Sequence, residues 1–358
     1  MELTSWLWNL VPFAAMIAVE CTDVGVSTIS KAALAKGMSK YVSVVYYNAL
    51  ATLILLPYFI FHRRKQAPVT HSLLFRFFLL GLIGSTGQIL FLAAVKLSSP
   101  TLSSALANLI PIFTFLLAVI TRMETLDIRR SSSQAKSLGA IVSVAGAFVV
   151  TLYKGPAVLM TTQTSNFHHH HQLLFSQKPE WIFGGFLLLI VCLLSATWNV
   201  AQGATVKEYQ EPMTIVFFFT FFITIQSAVF SLILERNPNA WILKSSIEII
   251  AIVFTAVFGS IFRIAIHTWC LRKKGPVYVA MFKPLGIAIA VFMTVVFLGD
   301  TLYLGSVIGS IIIALGFYSV MWGQMKEKKM GLNKNNEACC SNSSSLNAPL
   351  IRRTASEA

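Results

Sequence analysis

The sequence predicts an all-α membrane protein of ten transmembrane helices arranged as two inverted five-helix repeats. Of its 358 residues, 56% are hydrophobic and 12% charged, and the mean hydropathy is +0.71, outside the range of a soluble globular domain. Ten apolar runs, near 10–30, 41–61, 74–95, 101–121, 137–153, 182–202, 212–234, 246–268, 277–298 and 302–322, approach the roughly 20 residues that cross a bilayer. Such long continuous runs do not fit the short alternating strands of a β-barrel. A gapless internal match completes the argument: it sets Pro100 on Pro276, Asn108 on Pro284, Glu124 on Asp300 and Leu126 on Leu302. Five spans per half is odd, so a duplicated unit enters the membrane the second time with opposite topology. The expected segments are a first repeat over 1–153, a linker over 154–180, a second repeat over 181–323 and a tail over 324–358.

The first span has no basic start or cleavage pattern and reads as its own insertion signal. Glu20, Asp23, Ser27 and Lys31 recur every three or four residues, which puts a polar stripe on one helix face. Charged groups at this depth normally face a cavity or a protein partner. Glu20 is therefore a candidate cavity residue, and Glu20 and Asp23 are candidate proton-sensitive groups; the alternative reading is a fixed salt bridge that only joins helices. In the third span Gln88 is a candidate cavity residue, and Gly81, Gly84 and Gly87 allow close helix approach.

The fourth span begins at Pro100 and carries Asn108, with both a donor and an acceptor, and Pro111, which loosens the helix. The fifth span, from 137, is the shortest. The linker holds His168 to His171; without a cysteine or acidic partner nearby they read as a disordered polar connection rather than a metal site, and no cofactor is expected. Asn199 in the sixth span and Gln226 in the seventh are cavity candidates or interhelical ties, and the run Phe217 to Phe222 reads as lipid-facing packing, with a stacking site for an indole-like substrate as the alternative.

Arg263 and His267 lie four apart in the eighth span, with Cys270 near the same face. Arg263 sits at depth and suits an anionic group or closure of the cytosolic path; His267 suits a proton carrier or an interfacial residue. In the ninth span, which opens at Pro276, Lys283 is followed by Pro284, which removes an amide donor and leaves the Ala280 carbonyl unpaired. Lys283 meeting a carboxylate while Asn108 and freed backbone groups orient an ammonium would suit a zwitterionic ligand; snorkelling to the interface is the alternative. The tail from Gln324 reads as disordered, with adjacent Cys339 and Cys340 open to lipidation.

Basic residues set the orientation. Arg63, Arg64, Lys65, Arg76, Arg122, Arg129, Arg130, Lys136, Arg272 to Lys274, Lys326, Lys328 and Lys329 all fall on one side, so both termini are expected in the cytosol. The net charge of +14 sits mostly beside membrane ends and fits anionic lipid, not nucleic acid. No nucleotide-binding loop, zinc motif or catalytic triad is present, so no catalytic residues are expected and secondary transport is favoured over pumping or enzymatic chemistry. The expected partners are a small-molecule substrate and membrane lipids, with a homodimer left open.

Four stretches carry a family resemblance: AVKLSSPTLSSALANLIPIFTFLLAVITRMETLDIRR, KGPVYVAMFKPLGIAIAVFMTVVFLGDTLYLGSVIGSIIIALGFYSVMWG, and the early VSTISKAAL with YYNALATLILLPY. The chain resembles plant members of the drug and metabolite transporter superfamily, the walls-are-thin-related or UMAMIT group with two EamA-type repeats, over nearly all of 10–323. The resemblance implies the drug/metabolite transporter fold and a facilitator that exports amino acids, often at the plasma membrane. Relatives that carry auxin or other metabolites, some at the vacuole, supply the alternative, and a nontransporting receptor or scaffold is the third. Pro100, Ala105, Asn108 and Pro111 match the first-half motif; Pro276, Phe282, Lys283, Pro284, Leu285 and Gly286 match the second. Glu20 departs from the uncharged residue more familiar in that place.

Overall fold

A computed structural model describes residues 2–62, 70–98, 100–124, 129–153, 155–159, 179–209, 211–243, 245–293, 295–296 and 302–346. The first half comprises α1 (Glu2–Ala35), α2 (Lys40–His62), α3 (His71–Leu97), α4 (Pro100–Ala107), α5 (Ile110–Ile120) and α6 (Ser131–Leu152). The second comprises α7 (Pro179–Glu208), α8 (Pro212–Leu234), α9 (Ser246–Phe254), α10 (Arg263–Lys274), α11 (Pro276–Met293) and α12 (Leu304–Leu346). Nine helical stretches among the described residues are long and apolar enough to cross a membrane, and a tenth, Ala105–Ile120, is shorter. His168 to His171 lie outside the described residues.

Two of the spans are not simple helices. The fourth breaks after Ala107, where Asn108 and Leu109 form a turn before α5 restarts with Pro111 in its first turn, a place where a missing amide is tolerated. The eighth runs from α9 through a π-helical stretch, Thr255–Phe262, into α10. Pro284, by contrast, sits inside an unbroken α11. The helix begun at α12 continues beyond Gln324 into the segment whose sequence predicts disorder. Lys326 Nζ bonds Ser131 Oγ at 2.6 Å and Glu327 reaches Lys136, which ties the helix there to α6.

The inversion is visible in the packing. Counting α4 with α5, and α9 to α10, as single spans, exchanging each span for the one five places on returns the principal pairings. α6 on α12, α2 on α8 and α5 on α11 map onto themselves, while α3 on α7 maps onto α1 against the eighth span. The closest pair is α6 with α12. A Cβ on Gly139 would stand 2.6 Å from Gly316 O, and one on Gly146 would stand 2.7 Å from Ile313 N, so only glycine admits this backbone approach. A short antiparallel ladder joins the linker strand β1 (Ala157–Leu159) to β2 (Leu302–Tyr303), pairing Ala157 with Tyr303.

One end of the bundle is sealed. Phe13 and Met16 of α1 pack with Ala118, Cys270, Leu271, Tyr278, Phe282 and Phe317, all on the half of their helices nearest the start of α1. A second cluster around Phe77, Tyr209, Ile215 and Phe217 fills the same end on the other side. Across this end Lys136, 1% exposed, holds Glu124 at 2.7 Å and Glu327 at 2.6 Å, joining the turn after α5 to α6 and α12. Arg76 of α3 pairs with Glu208 of α7 at the same end.

Candidate functional site

Beyond the seal lies a cavity of 410 Å³, of the size that takes a small metabolite. Its walls come from both halves: Asn48 of α2, Gln88 of α3, Ser103 and Ala107 of α4, Ser195 and Asn199 of α7, Ser260 of the π stretch, Arg263 and His267 of α10, and Lys283 of α11. These positions run from mid-depth toward the end of the bundle opposite the seal.

The charged groups form one network. Lys283 Nζ lies 3.5 Å from Glu20 Oε1 and 3.6 Å from Asp23 Oδ2, and Arg263 Nε lies 4.0 Å from Asp23 Oδ1. Two acids and two bases balance, which is what a low-dielectric setting demands. The distribution is uneven, however. Lys283 and Arg263 line the cavity and are about one-third exposed, whereas Glu20 is 5% exposed and neither acid belongs to the wall. The cavity therefore sees cations whose counter-charges stand behind them. Gly286, one turn beyond Lys283, makes this possible: a Cβ there would collide with Glu20 Oε2 and stand 2.9 Å from Glu20 Cδ.

Backbone irregularity aims two of these side chains. Arg263 Nε donates to Gly259 O at 2.7 Å, occupying a carbonyl inside the π stretch. At the break in the fourth span, Asn108 N–H turns back to Ala105 O, and Leu106 O accepts from Leu109 N–H and from the Cys192 thiol at 3.2 Å. Asn108 itself is 1% exposed and is not on the wall, and its Nδ2 has no partner among the described residues. His267 Nε2 and Trp198 Nε1, both from wall residues, are likewise buried without a partner in the protein.

Of the residues singled out from sequence, Lys283, Arg263, Gln88, Asn199 and His267 meet on the cavity wall. Glu20 and Asp23 sit directly behind it. Gln226 does not reach it: its Oε1 accepts from Ser85 Oγ at 3.3 Å and its Nε2 donates to Phe78 O at 3.2 Å, so it ties α8 to α3. Pro100 and Pro276 open α4 and α11 at opposite ends of the bundle, as inversion requires. Sequence reasoning missed Asn48, whose Nδ2 lies 3.5 Å from Gln88 Oε1, and it missed Ser103, Ser195 and Ser260. Asn48 offered the same signal as Asn199, an amide within an apolar run. Phe219, 5% exposed and not lipid-facing, comes from the run that offered a stacking site, and joins Phe91 and Trp198 on the wall, with the Trp198 and Phe219 rings 5.5 Å apart; Phe91 and Trp198 gave no signal.

Inverted five-span halves around a central, largely apolar cavity that carries charged and amide side chains and is sealed at one end define a multi-pass secondary carrier. The EamA-like transporter family model matches residues 13–152 and again 182–322. A WAT1-related protein of Arabidopsis thaliana is 47% identical over 91% of each chain. A second is 43% identical over 96% of this chain and 95% of its own length, and a third 44% identical over 91% and 92%. A solved crystal structure superposes with a TM-score of 0.63 over 88% of this chain and 97% of that one; at 14% identity the likeness is one of fold. The chain belongs to the EamA-like transporter family, in its WAT1-related branch, and is a carrier of small molecules rather than an enzyme.

Proposed function

We propose that the protein moves neutral amino acids across a membrane by alternating access, as a facilitator with a role in export. The observation that supports this most is the pairing of Lys283 and Arg263 with uncharged amides and hydroxyls on the same wall. The two cations suit a carboxylate, Asn48, Gln88 and Ser103 suit an ammonium, and nothing on the wall demands a second charge on the ligand. Rocking of the halves would break the seal behind Lys283 and expose the cavity to the other side. With both termini in the cytosol, as the basic residues favour, the present state faces away from it. The plasma membrane is the proposed location, with the vacuolar membrane as alternative, and no partner beyond substrate and lipid is needed.

A small organic anion such as indole-3-acetate is the second reading, favoured by Trp198, Phe91 and Phe219 beside the same cations. Flux in proteoliposomes separates the two. Saturable glutamine flux, insensitive to excess indole acetate and reduced about tenfold or more by Lys283→Ala, supports the amino-acid reading; the factor corresponds to loss of one hydrogen bond to a charged group. Flux of indole acetate alone overturns it. Repeating the assay with an imposed pH gradient tests the proton-sensitive role of Glu20, Asp23 and His267.

A further inference from the structure

The break in the fourth span leaves one carbonyl in a special position. At its edge Ala105 O takes the Asn108 amide, and Leu106 O takes the Leu109 amide and the Cys192 thiol. The next carbonyl, Ala107 O, would in a continuous helix receive the amide of residue 111, and residue 111 is proline, which has no amide hydrogen. Ala107 is also a wall residue of the cavity and ends α4, where the partial negative charge of a helix C-terminus collects.

The internal repeat gives this carbonyl a counterpart. The alignment that sets Asn108 on Pro284 sets Ala107 on Lys283. Both residues line the same cavity, so the inverted halves bring the residue that bears this carbonyl and the residue that bears the cation to equivalent places. A second observation points to a ligand in the same space: His267, 6% exposed on that wall, has Nε2 with no partner among the described residues. A buried polar atom without a protein partner normally costs free energy, which a bound polar molecule offsets.

We propose that Ala107 O accepts a hydrogen bond from the ligand's ammonium group while Lys283 holds its carboxylate, so that Pro111 selects zwitterions by keeping that carbonyl free. This rests on the amino-acid reading above. It makes the α-amino group a requirement for tight binding, and it adds to Asn48, Gln88 and Ser103 a backbone acceptor that an alanine scan of side chains would not report.

The test compares phenylalanine with 3-phenylpropionate, identical except for the amino group, by equilibrium binding to the purified full chain in lipid nanodiscs. In the wild type, phenylalanine should bind about tenfold or more tightly, the effect of one hydrogen bond to a charged group. Pro111→Ala restores an amide donor for Ala107 O and should narrow that ratio toward one, with 3-phenylpropionate affinity unchanged. Should the alanine variant fail to fold, Pro111→Gly restores the same donor and carries the same expectation. Wild-type preference that survives in the folded Pro111 variant overturns the role of Ala107 O while leaving the amino-acid reading intact. A wild type that binds both probes equally also overturns it. One that binds 3-phenylpropionate alone brings down the amino-acid reading and this inference together.

Discussion

Lys136 provides the most demanding check on the account of the sealed end. Its ammonium, 1% exposed, depends on Glu124 and Glu327, which are 14% and 25% exposed and so keep some access to water. Replacing both acids by glutamine strands a buried cation, and breaking a buried pair in that way costs about 3–5 kcal/mol. Replacing the lysine alone, as Lys136→Met, leaves two carboxylates that water can reach, so the loss should be smaller. Combining all three changes substitutes an apolar side chain of similar length among neutral amides, which is often near neutral. Lys136→Met therefore destabilises the wild type yet should recover most of the loss in Glu124→Gln/Glu327→Gln. Unfolding in micelles by titration with a denaturing detergent, followed by tryptophan fluorescence, measures each variant. A triple variant no more stable than the double would refute the argument that an unpaired buried charge, and not lost packing, sets the cost.

Two further expectations follow from the same geometry. Gln226→Ala should lower stability by about 0.6 kcal/mol, typical of an interhelical hydrogen bond in a membrane, and leave uptake unchanged, whereas Gln88→Ala should lower uptake; parallel melting and proteoliposome flux read the contrast. Gly286→Ala forces the Glu20 carboxylate away from α11, an overpacking cost of about 1–3 kcal/mol; made in a Glu20→Ala background, where that clash is gone, the same change should cost little beyond the loss of Glu20 itself in the same unfolding titration.

Span positions and their inversion were legible because hydropathy over long windows and an odd span count per half depend on composition and order alone. The wall residues Lys283 and Arg263 were legible for a related reason: a charge at membrane depth needs a cause. Lys136 was not. In the sequence it is one more basic residue on the side that fixes orientation, and its partners stand 12 and 191 positions away, the second reached only when α12 lies against α6. Gln226 shows the converse limit, since an amide inside a span satisfies itself between helices as readily as in a cavity. The break after Ala107 was half visible through Pro111. The π stretch was invisible, because Thr255–Phe262 contains no proline and its turns are set by what packs around them.

That π stretch bears on how the carrier tolerates change in length. A π turn holds one residue more than an α turn, and each residue of an α-helix advances the side-chain direction by about 100°. α9 and α10 are thus out of phase by one residue, and Arg263 and His267 reach the cavity wall from beyond that offset. A single-residue deletion anywhere between Thr255 and Phe262 would leave the span long enough to cross the bilayer, keep every side chain on α10, and swing both away from the ligand. In this span specificity is written in residue count as much as in residue identity, so relatives with identical α10 sequences but one residue fewer upstream would present a different face to their substrates.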